Sequence, residues 1–379
     1  MSAPEPERYH DRGAFVFRDV TAESGLGAFA QVNGSPEKPF LVETVGGGCA
    51  LFDHDQDGDL DAWLTNGGKL GQELAQNPSD ALFLNDGRGV FRDGSAAAGV
   101  EERRWTNGVR VCDVDGDGRA DVYLTNYGPN AFFVAESGGR YRERAAECGI
   151  ADERWSTGAS FFDFDRDGDL DLFVSNYVEF DEERMLREHP TTSYQGVEVM
   201  KGPQGLLPAE DRFYVNQGGL AFAERTHELG FHDEFFGFQS VVLDFDADGW
   251  LDLFVANDSV ANNLWRNLAG QRFEDVALRQ GVAFSLSGRP QAGMGVAVGD
   301  YDGNLLADIY VTNFADDYST LYRAEARGFF VDVTQALGLA GPTMDKLAWG
   351  TGFDDLDLDG DLELHAANGH VYPQVDRFR

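Results

Sequence analysis

The run "FDHDQDGDLD" (52–61) places five aspartates and one glycine in ten positions. It has five counterparts: "CDVDGDGRAD" (112–121), "FDFDRDGDLD" (162–171), "LDFDADGWLD" (243–252), "GDYDGNLLAD" (299–308) and "DDLDLDGDLE" (354–363). A tight turn needs one Asp or Asn and one Gly. That explains the glycine and leaves the crowded carboxylates unexplained. The shared pattern is D-x-D-x-D-G-x-x-D, an oxygen-rich loop with a sharp turn at its sixth position. Calcium takes six to eight oxygen ligands, and carboxylates at loop positions 1, 3 and 5 are able to converge on one ion.

Read this way, the first loop offers Asp53, Asp55, Asp57, the carbonyl of Asp59, and Asp61. The second offers Asp113, Asp115, Asp117 and Asp121. The third offers Asp163, Asp165, Asp167 and Asp171, with Asp169 at the carbonyl position. Asp244, Asp246, Asp248 and Asp252 make the fourth. Asp355, Asp357, Asp359 and Glu363 make the sixth, with Asp361 at the carbonyl position. The fifth keeps its oxygens in Asp300, Asp302, Asn304 and Asp308, but Leu305 replaces the glycine. Five or six calcium ions are therefore expected. An EF-hand would need a Glu at position 12 between helices. Position 12 is instead Leu64, Leu124, Val174, Val255, Val311 or Ala366, each in a strand-like run.

Other features keep register with the loops. Asparagine stands thirteen residues after each first Asp: Asn66, Asn126, Asn176, Asn257, Asn313 and Asn368. Glycine stands five residues before it at 48, 108, 158, 295 and 350, with Gln239 as the exception. A second element also recurs six times, from "FRDVTAESGL" (17–26) to "FVDVTQALGL" (330–339). It reads as a short strand and one helical turn closed by a left-handed glycine. Between lie runs such as "DAWLTN", "DVYLTN" and "DLFVSN". About four short strands per unit of some 55 residues is the signature of an all-β fold, a β-propeller of four-stranded antiparallel blades. Its first strands would crowd the axis, where glycine lets backbones approach.

Six units are visible. Residues 376–379 ("DRFR") align with 211–214 ("DRFY"), which puts a third strand at the end of the chain. The N-terminal strand would then supply a fourth and close six blades; seven blades is the alternative. Residues 1–13 read as a tail and 14–379 as one propeller domain. An insertion at about 178–211 accounts for the long interval between Asp163 and Asp244.

The 379 residues are 42% hydrophobic and carry a net charge of −36. Such acidity argues against nucleic acid, whose phosphates need Lys and Arg, and against anionic membranes. Bound cations would relieve the self-repulsion. No apolar run of about 18 residues exists to span a bilayer. Cys49, Cys112 and Cys148 form no disulfide or zinc pattern and read as small buried apolar residues. The opening "MSAPEPERYHDRGAF" lacks the apolar core of a signal peptide, which by itself points to the cytoplasm.

The loops, together with "GGGCALFDHDQDGDLD" (46–61), "GPQGLLPAEDRFYVNQGG" (202–219) and "ANGHVYPQVD" (367–376), resemble the ASPIC/UnbV group of FG-GAP/VCBS-repeat proteins. The resemblance spans nearly all of residues 14–379. It implies a seven-bladed calcium-binding propeller, usually exported to the extracellular or periplasmic space.

Function would lie on the face opposite the acidic hairpins, where the insertion and the recurrent asparagines fall. Trp105, Trp155, Tyr127, Tyr177 and His370 are the candidate ligand-facing residues there. Packing and strand-end capping are the competing readings for the aromatics and the asparagines. No Ser-His-Asp order, phosphate loop or Cys-His pair stands out, so no catalytic residue is assigned. The favoured reading is a monomeric calcium-rigidified scaffold that engages a protein or glycan partner. The alternative is a propeller enzyme (lyase, cyclase or hydrolase) with its site at the channel mouth.

Overall fold

The computed structural model describes residues 17–378 apart from 233, 234 and 327, with the side chains of 376–378 excluded. The expected tail at 1–13 lies outside the described residues.

Four-stranded antiparallel sheets follow one another along the chain. The first holds β1 (Cys49–Phe52), β2 (Asp61–Leu64), β3 (Ala81–Asn85) and β4 (Phe91–Asp93). The second holds β5 (Trp105–Cys112), β6 (Asp121–Tyr127), β7 (Ala131–Glu136) and β8 (Arg140–Glu143). The third opens with β9 (Ser156–Phe162) and β10 (Asp171–Asn176). The hairpin β11 (Thr191–Tyr194) and β12 (Val197–Met200) then interrupts it before β13 (Arg212–Asn216) and β14 (Phe222–Glu224). The fourth holds β15 (Gly237–Leu243), β16 (Asp252–Val260), β17 (Asn263–Asn267) and β18 (Phe273–Asp275). The fifth holds β19 (Gln291–Gly299), β20 (Asp308–Asn313), β21 (Thr320–Glu325) and β22 (Phe329–Asp332), and is joined to the fourth where the end of β16 pairs with the start of β19, Asp258 opposite Ala292 and Val260 opposite Gln291. The sixth consists of β23 (Ala348–Asp354) and β24 (Glu363–Asn368). Residues Pro373–Phe378 form a 3-10 helix, not the third strand expected there.

In the first five sheets the middle residues of the second strand are apolar, because both faces are covered there. All six residues of β10 and of β20 are buried. Separate apolar layers fill the spaces between successive sheets. Trp63, Val122 and Phe133 lie between the first and second. Tyr123, Leu172 and Tyr214 lie between the second and third. Phe213, Leu253 and Trp265 follow, then Phe254, Ile309 and Tyr322. Aromatic and β-branched side chains suit such a pleated, doubly covered surface.

The first strands pack side by side in chain order: β1 on β5, β5 on β9, β9 on β15, β15 on β19 and β19 on β23. This is how blades pack around an axis, and it explains the glycines. A Cβ on Gly158 would lie 2.8 Å from the Phe238 carbonyl oxygen, and one on Gly295 would lie 2.1 Å from that of Trp349. Gln239, the exception, turns its side chain into a tie: its Oε1 accepts the Val296 N–H at 3.2 Å across the sheet boundary. One expectation fails in this region. Cys49 is exposed, Cys112 half-buried and only Cys148 buried, and all three are free thiols. Cys49 sits on β1, which has no preceding first strand against it among the described residues.

Candidate functional site

The acidic runs all connect the first strand of a sheet to its second, so they share one end of the molecule. Their geometry is built from backbone N–H groups. In the first hairpin, the Asp57 and Gly58 N–H groups donate to the two oxygens of Asp53, each at 3.1 Å. The position-1 carboxylate is braced the same way in every copy, through Gly118 to Asp113 (2.8 Å), Gly168 to Asp163 (3.1 Å), Gly249 to Asp244 (2.9 Å), Leu305 to Asp300 (2.8 Å) and Gly360 to Asp355 (3.0 Å). Leu305 achieves this with φ at +66°, where a glycine would sit without strain. The departing fifth copy therefore keeps the shape of the others. Position 4 is left-handed as well, including at Gln56, Arg166, Ala247 and Leu358. The sequence pattern did not reveal this. Two of these side chains reach the neighbouring hairpin: Gln56 donates to the Gly118 carbonyl (2.6 Å) and Arg166 to that of Gly249.

The position-9 carboxylate does more than complete a cage. Asp171 accepts from the Phe164 N–H (3.1 Å) within its hairpin and from Asn216 N–H (2.9 Å) on the third strand. Asp61, Asp121, Asp252 and Asp308 make equivalent pairs of bonds. Glu363 makes the hairpin bond alone, to Leu356 N–H (2.8 Å). Burial raises Asp171 and Asp252 from 3.8 to about 7, and Asp121 and Asp308 to about 6. At position 3, Asp55, Asp115, Asp165 and Asp246 are raised too, by burial first and then by the neighbouring position-5 carboxylates.

Carboxylate oxygens converge to within 4.8 Å of one another in at least five hairpins. The groups include Asp53, Asp55 and Asp57; Asp113, Asp115 and Asp121; Asp163, Asp165 and Asp171; Asp244, Asp246 and Asp248; and Asp300, Asp302 and Asp308. Asp59 Oδ1 and Asp246 Oδ1 are buried with no hydrogen-bond donor. An oxygen-only set with uncompensated carboxylates fits a hard cation such as calcium. Arginine competes in two hairpins: Arg119 pairs with Asp117, and Arg266 with Asp246 (2.7 Å) and Asp248 (3.1 Å).

The opposite end carries the 178–211 segment, pinned at its base by the Val178–Pro208 bridge. It contributes a helix (Glu182–Glu188) and the β11–β12 hairpin, and it covers a cavity of about 460 Å³. The expected ligand-facing residues divide there. Tyr177 lines the cavity. Trp105, Trp155 and Tyr127 do not. They stack edge-to-face with one another and with Phe180 beneath the insertion. Trp155 is 2% exposed. His370 packs among Tyr194, Phe314 and Tyr372 and is not a lining residue. The recurrent asparagines act as strand-end caps: Asn126 Nδ2 donates to the Pro129 carbonyl (2.8 Å) and Asn313 Nδ2 to that of Tyr318 (2.8 Å). The cavity adds Asp258, Asp316 and Trp349, which the sequence reading passed over. Asp258 follows Asn257 directly, and that position was the only available signal.

Among the described residues, no helix is long and apolar enough to cross a membrane. Distant likenesses to solved structures exist. A lectin from Agrocybe aegerita, described as recognising non-reducing terminal N-acetylglucosamine, is 14% identical at a TM-score of 0.42. That alignment covers 86% of this chain and 72% of the lectin. The V. cholerae biofilm matrix protein Bap1 is 13% identical at 0.39, over 76% of this chain and 38% of that one. The rhamnogalacturonan lyase YesW is 14% identical at 0.39, over 85% and 55%. In sequence, cartilage acidic protein 1 of Mus musculus is 28% identical over 121 residues. That stretch is 31% of this chain and 15% of the mouse protein, in line with the ASPIC/UnbV resemblance. The FG-GAP-like repeat model matches residues 53–124, 113–174 and 244–311, centred on the acidic hairpins. With about half of its length matched in these three stretches, the chain belongs to the FG-GAP-like repeat family.

Proposed function

We propose that the chain is a calcium-stabilised propeller scaffold that presents the face covered by the 178–211 insertion to a protein or glycan partner. Calcium in each acidic hairpin would bind the first strand of a blade to its second. Through the position-9 carboxylate it would also hold the third. The convergence of carboxylate oxygens to within 4.8 Å in at least five hairpins carries this reading. Four like charges in one turn repel, and a cation that binds only the folded state stabilises it by mass action. The blades would be the six sheets described above. Cys49 is exposed, and nothing lies within 4 Å of a Cβ on Gly350. The first and sixth inner strands therefore each have an open side, which leaves room for the seventh blade that the ASPIC/UnbV resemblance implies. The ASPIC/UnbV resemblance favours a location outside the cytoplasm, where calcium is abundant enough to fill even weak sites of roughly 10⁻⁴–10⁻³ M.

Equilibrium dialysis of the full chain against calcium tests it. Five or six ions should bind per chain, with magnesium a weak competitor. Absence of bound calcium at millimolar concentration would refute the proposal.

A further inference from the structure

The cavity under the insertion is chemically lopsided. Its walls include the rings of Tyr177, Tyr194, Phe238, Phe314, Trp349 and Tyr372. Its charged groups are Asp258, Asp316 and Asp317, and no lysine, arginine or histidine is among the lining residues. Arg289 lies close enough to act on Asp317. Asp258 and Asp316 have no such cation among the cavity's lining residues. Asp258 is 4% exposed. Its Oδ2 accepts the Tyr177 hydroxyl at 2.5 Å and its Oδ1 that of Ser259 at 2.7 Å, so the carboxylate is held in one orientation. Asp316 Oδ2 accepts the hydroxyl of Tyr194, from the β11–β12 hairpin, at 2.9 Å. Ser259 and Asp316 both stand in the left-handed backbone region, with φ of +64° and +69°. Strain of this kind persists where surrounding structure enforces it, often at ligand sites.

We propose that this cavity binds an organic cation, with an ammonium or guanidinium head directed to Asp258 and Asp316 and an apolar body against the rings. Three physical terms favour such a ligand. A buried carboxylate without a counter-charge is costly, and a bound cation removes that cost. Aromatic faces attract cations through their quadrupoles. A protein of net charge −36 draws cations toward itself and repels phosphates, uronates and other anions. A neutral sugar would find rings to stack on, but would bring no counter-charge to Asp258 and Asp316. The volume suits a body of drug-like size. The proposal rests on the scaffold reading above and supplies the chemistry of what the insertion face captures.

The test is calorimetric titration of the full chain, saturated with calcium, with 2-phenylethylammonium, its neutral isostere 2-phenylethanol, and N-acetylglucosamine. The ammonium should bind at least about tenfold tighter than the alcohol. Asp258→Asn and Asp316→Asn should each remove most of that preference. Asp316→Asn alters a rim residue, so it keeps the test decisive if Asp258→Asn does not fold. Equal binding of ammonium and alcohol overturns the proposal, as does binding of the sugar alone, or an ammonium preference unchanged in Asp316→Asn. Calcium-dependent melting without ammonium preference would sink the cavity proposal and spare the scaffold. Ammonium preference without bound calcium would do the reverse.

Discussion

Removing calcium should give the protein an unusual pH profile. Asp171 and Asp252 are raised from 3.8 to about 7, and Asp121 and Asp308 to about 6, chiefly by burial. An acid whose folded pKa exceeds its unfolded value holds its proton longer when folded. From about pH 4 to about pH 7 the folded state then binds more protons, and stability falls as pH rises. Below that window both states are protonated and the effect vanishes. At about 1.4 kcal/mol per pKa unit, each carboxylate opposes folding by about 3–4 kcal/mol at pH 8. Allowing half for the water that reaches these loops, the four together cost on the order of 7 kcal/mol. Because the unfolded carboxylates are already ionised at pH 5, only about half of this, about 4 kcal/mol, accrues between about pH 5 and about pH 8; for a chain of this size that is a fall in Tm on the order of 5 °C. Exposed carboxylates such as Glu147 and Glu188, which arginines hold below their usual range, act in the opposite sense. Surface pairs of this kind contribute little. In millimolar calcium the same carboxylates ionise against the metal and the decline should flatten. Differential scanning calorimetry with chelator and with calcium, at a fixed scan rate, reads both curves. A chelated protein whose Tm is flat or rising from pH 5 to pH 8 would refute the reasoning. So would coincident curves with and without calcium.

Three further outcomes follow from local geometry. Gly295→Ala would drive a Cβ to 2.1 Å from the Trp349 carbonyl oxygen, whereas Gly350→Ala meets nothing within 4 Å. The first should lose at least about 2–3 kcal/mol in urea unfolding and the second almost nothing. Leu305→Gly relieves a side chain held at φ +66° and 90% exposed. It should stabilise the calcium-free protein by about 1 kcal/mol, read as a small rise in Tm. Under native conditions iodoacetamide should modify Cys49 first, because it is exposed. Burial pushes Cys112 up to about 12 and shelters Cys148, so both should react only on unfolding, as peptide mass spectrometry would show.

The acidic hairpins were legible because their geometry is local. Positions 1 and 6 lie five residues apart, and the bond between them forms within one loop, as Gly58 N–H to Asp53 shows. The repeat of such loops carried the sheet order with it. Leu305 shows where residue identity misleads: without its glycine the fifth copy looks defective, yet the bond to Asp300 survives at 2.8 Å. The aromatics of the far face were visible but not their roles. Whether Trp155 faces a ligand or a neighbour depends on Phe180 and Tyr127, which come from other elements. Asp258 was invisible as a cavity residue because its partner Tyr177 stands 81 positions away. The pairing is set by how the third and fourth sheets meet.

Strand β16 puts both uses of aspartate on one segment. At one end Asp252 accepts the N–H groups of Phe245 and Asn267. Six residues further on, Asp258 accepts the hydroxyls of Tyr177 and Ser259. Both side chains are buried and both are raised by burial, so neither charge nor pKa tells them apart. Their surroundings do. Asp252 shares its end of the strand with Asp244, Asp246 and Asp248, whose oxygens point into one space that suits a small hard ion. Asp258 shares its end with aromatic rings and a cavity of about 460 Å³, too large for a bare ion to fill. A strongly hydrated metal would lose its water shell there without gaining enough oxygens in return. A cation with a hydrocarbon body loses little water and gains the rings. On the proposed reading the same strand would separate two cation chemistries, inorganic at the hairpin end and organic at the insertion end.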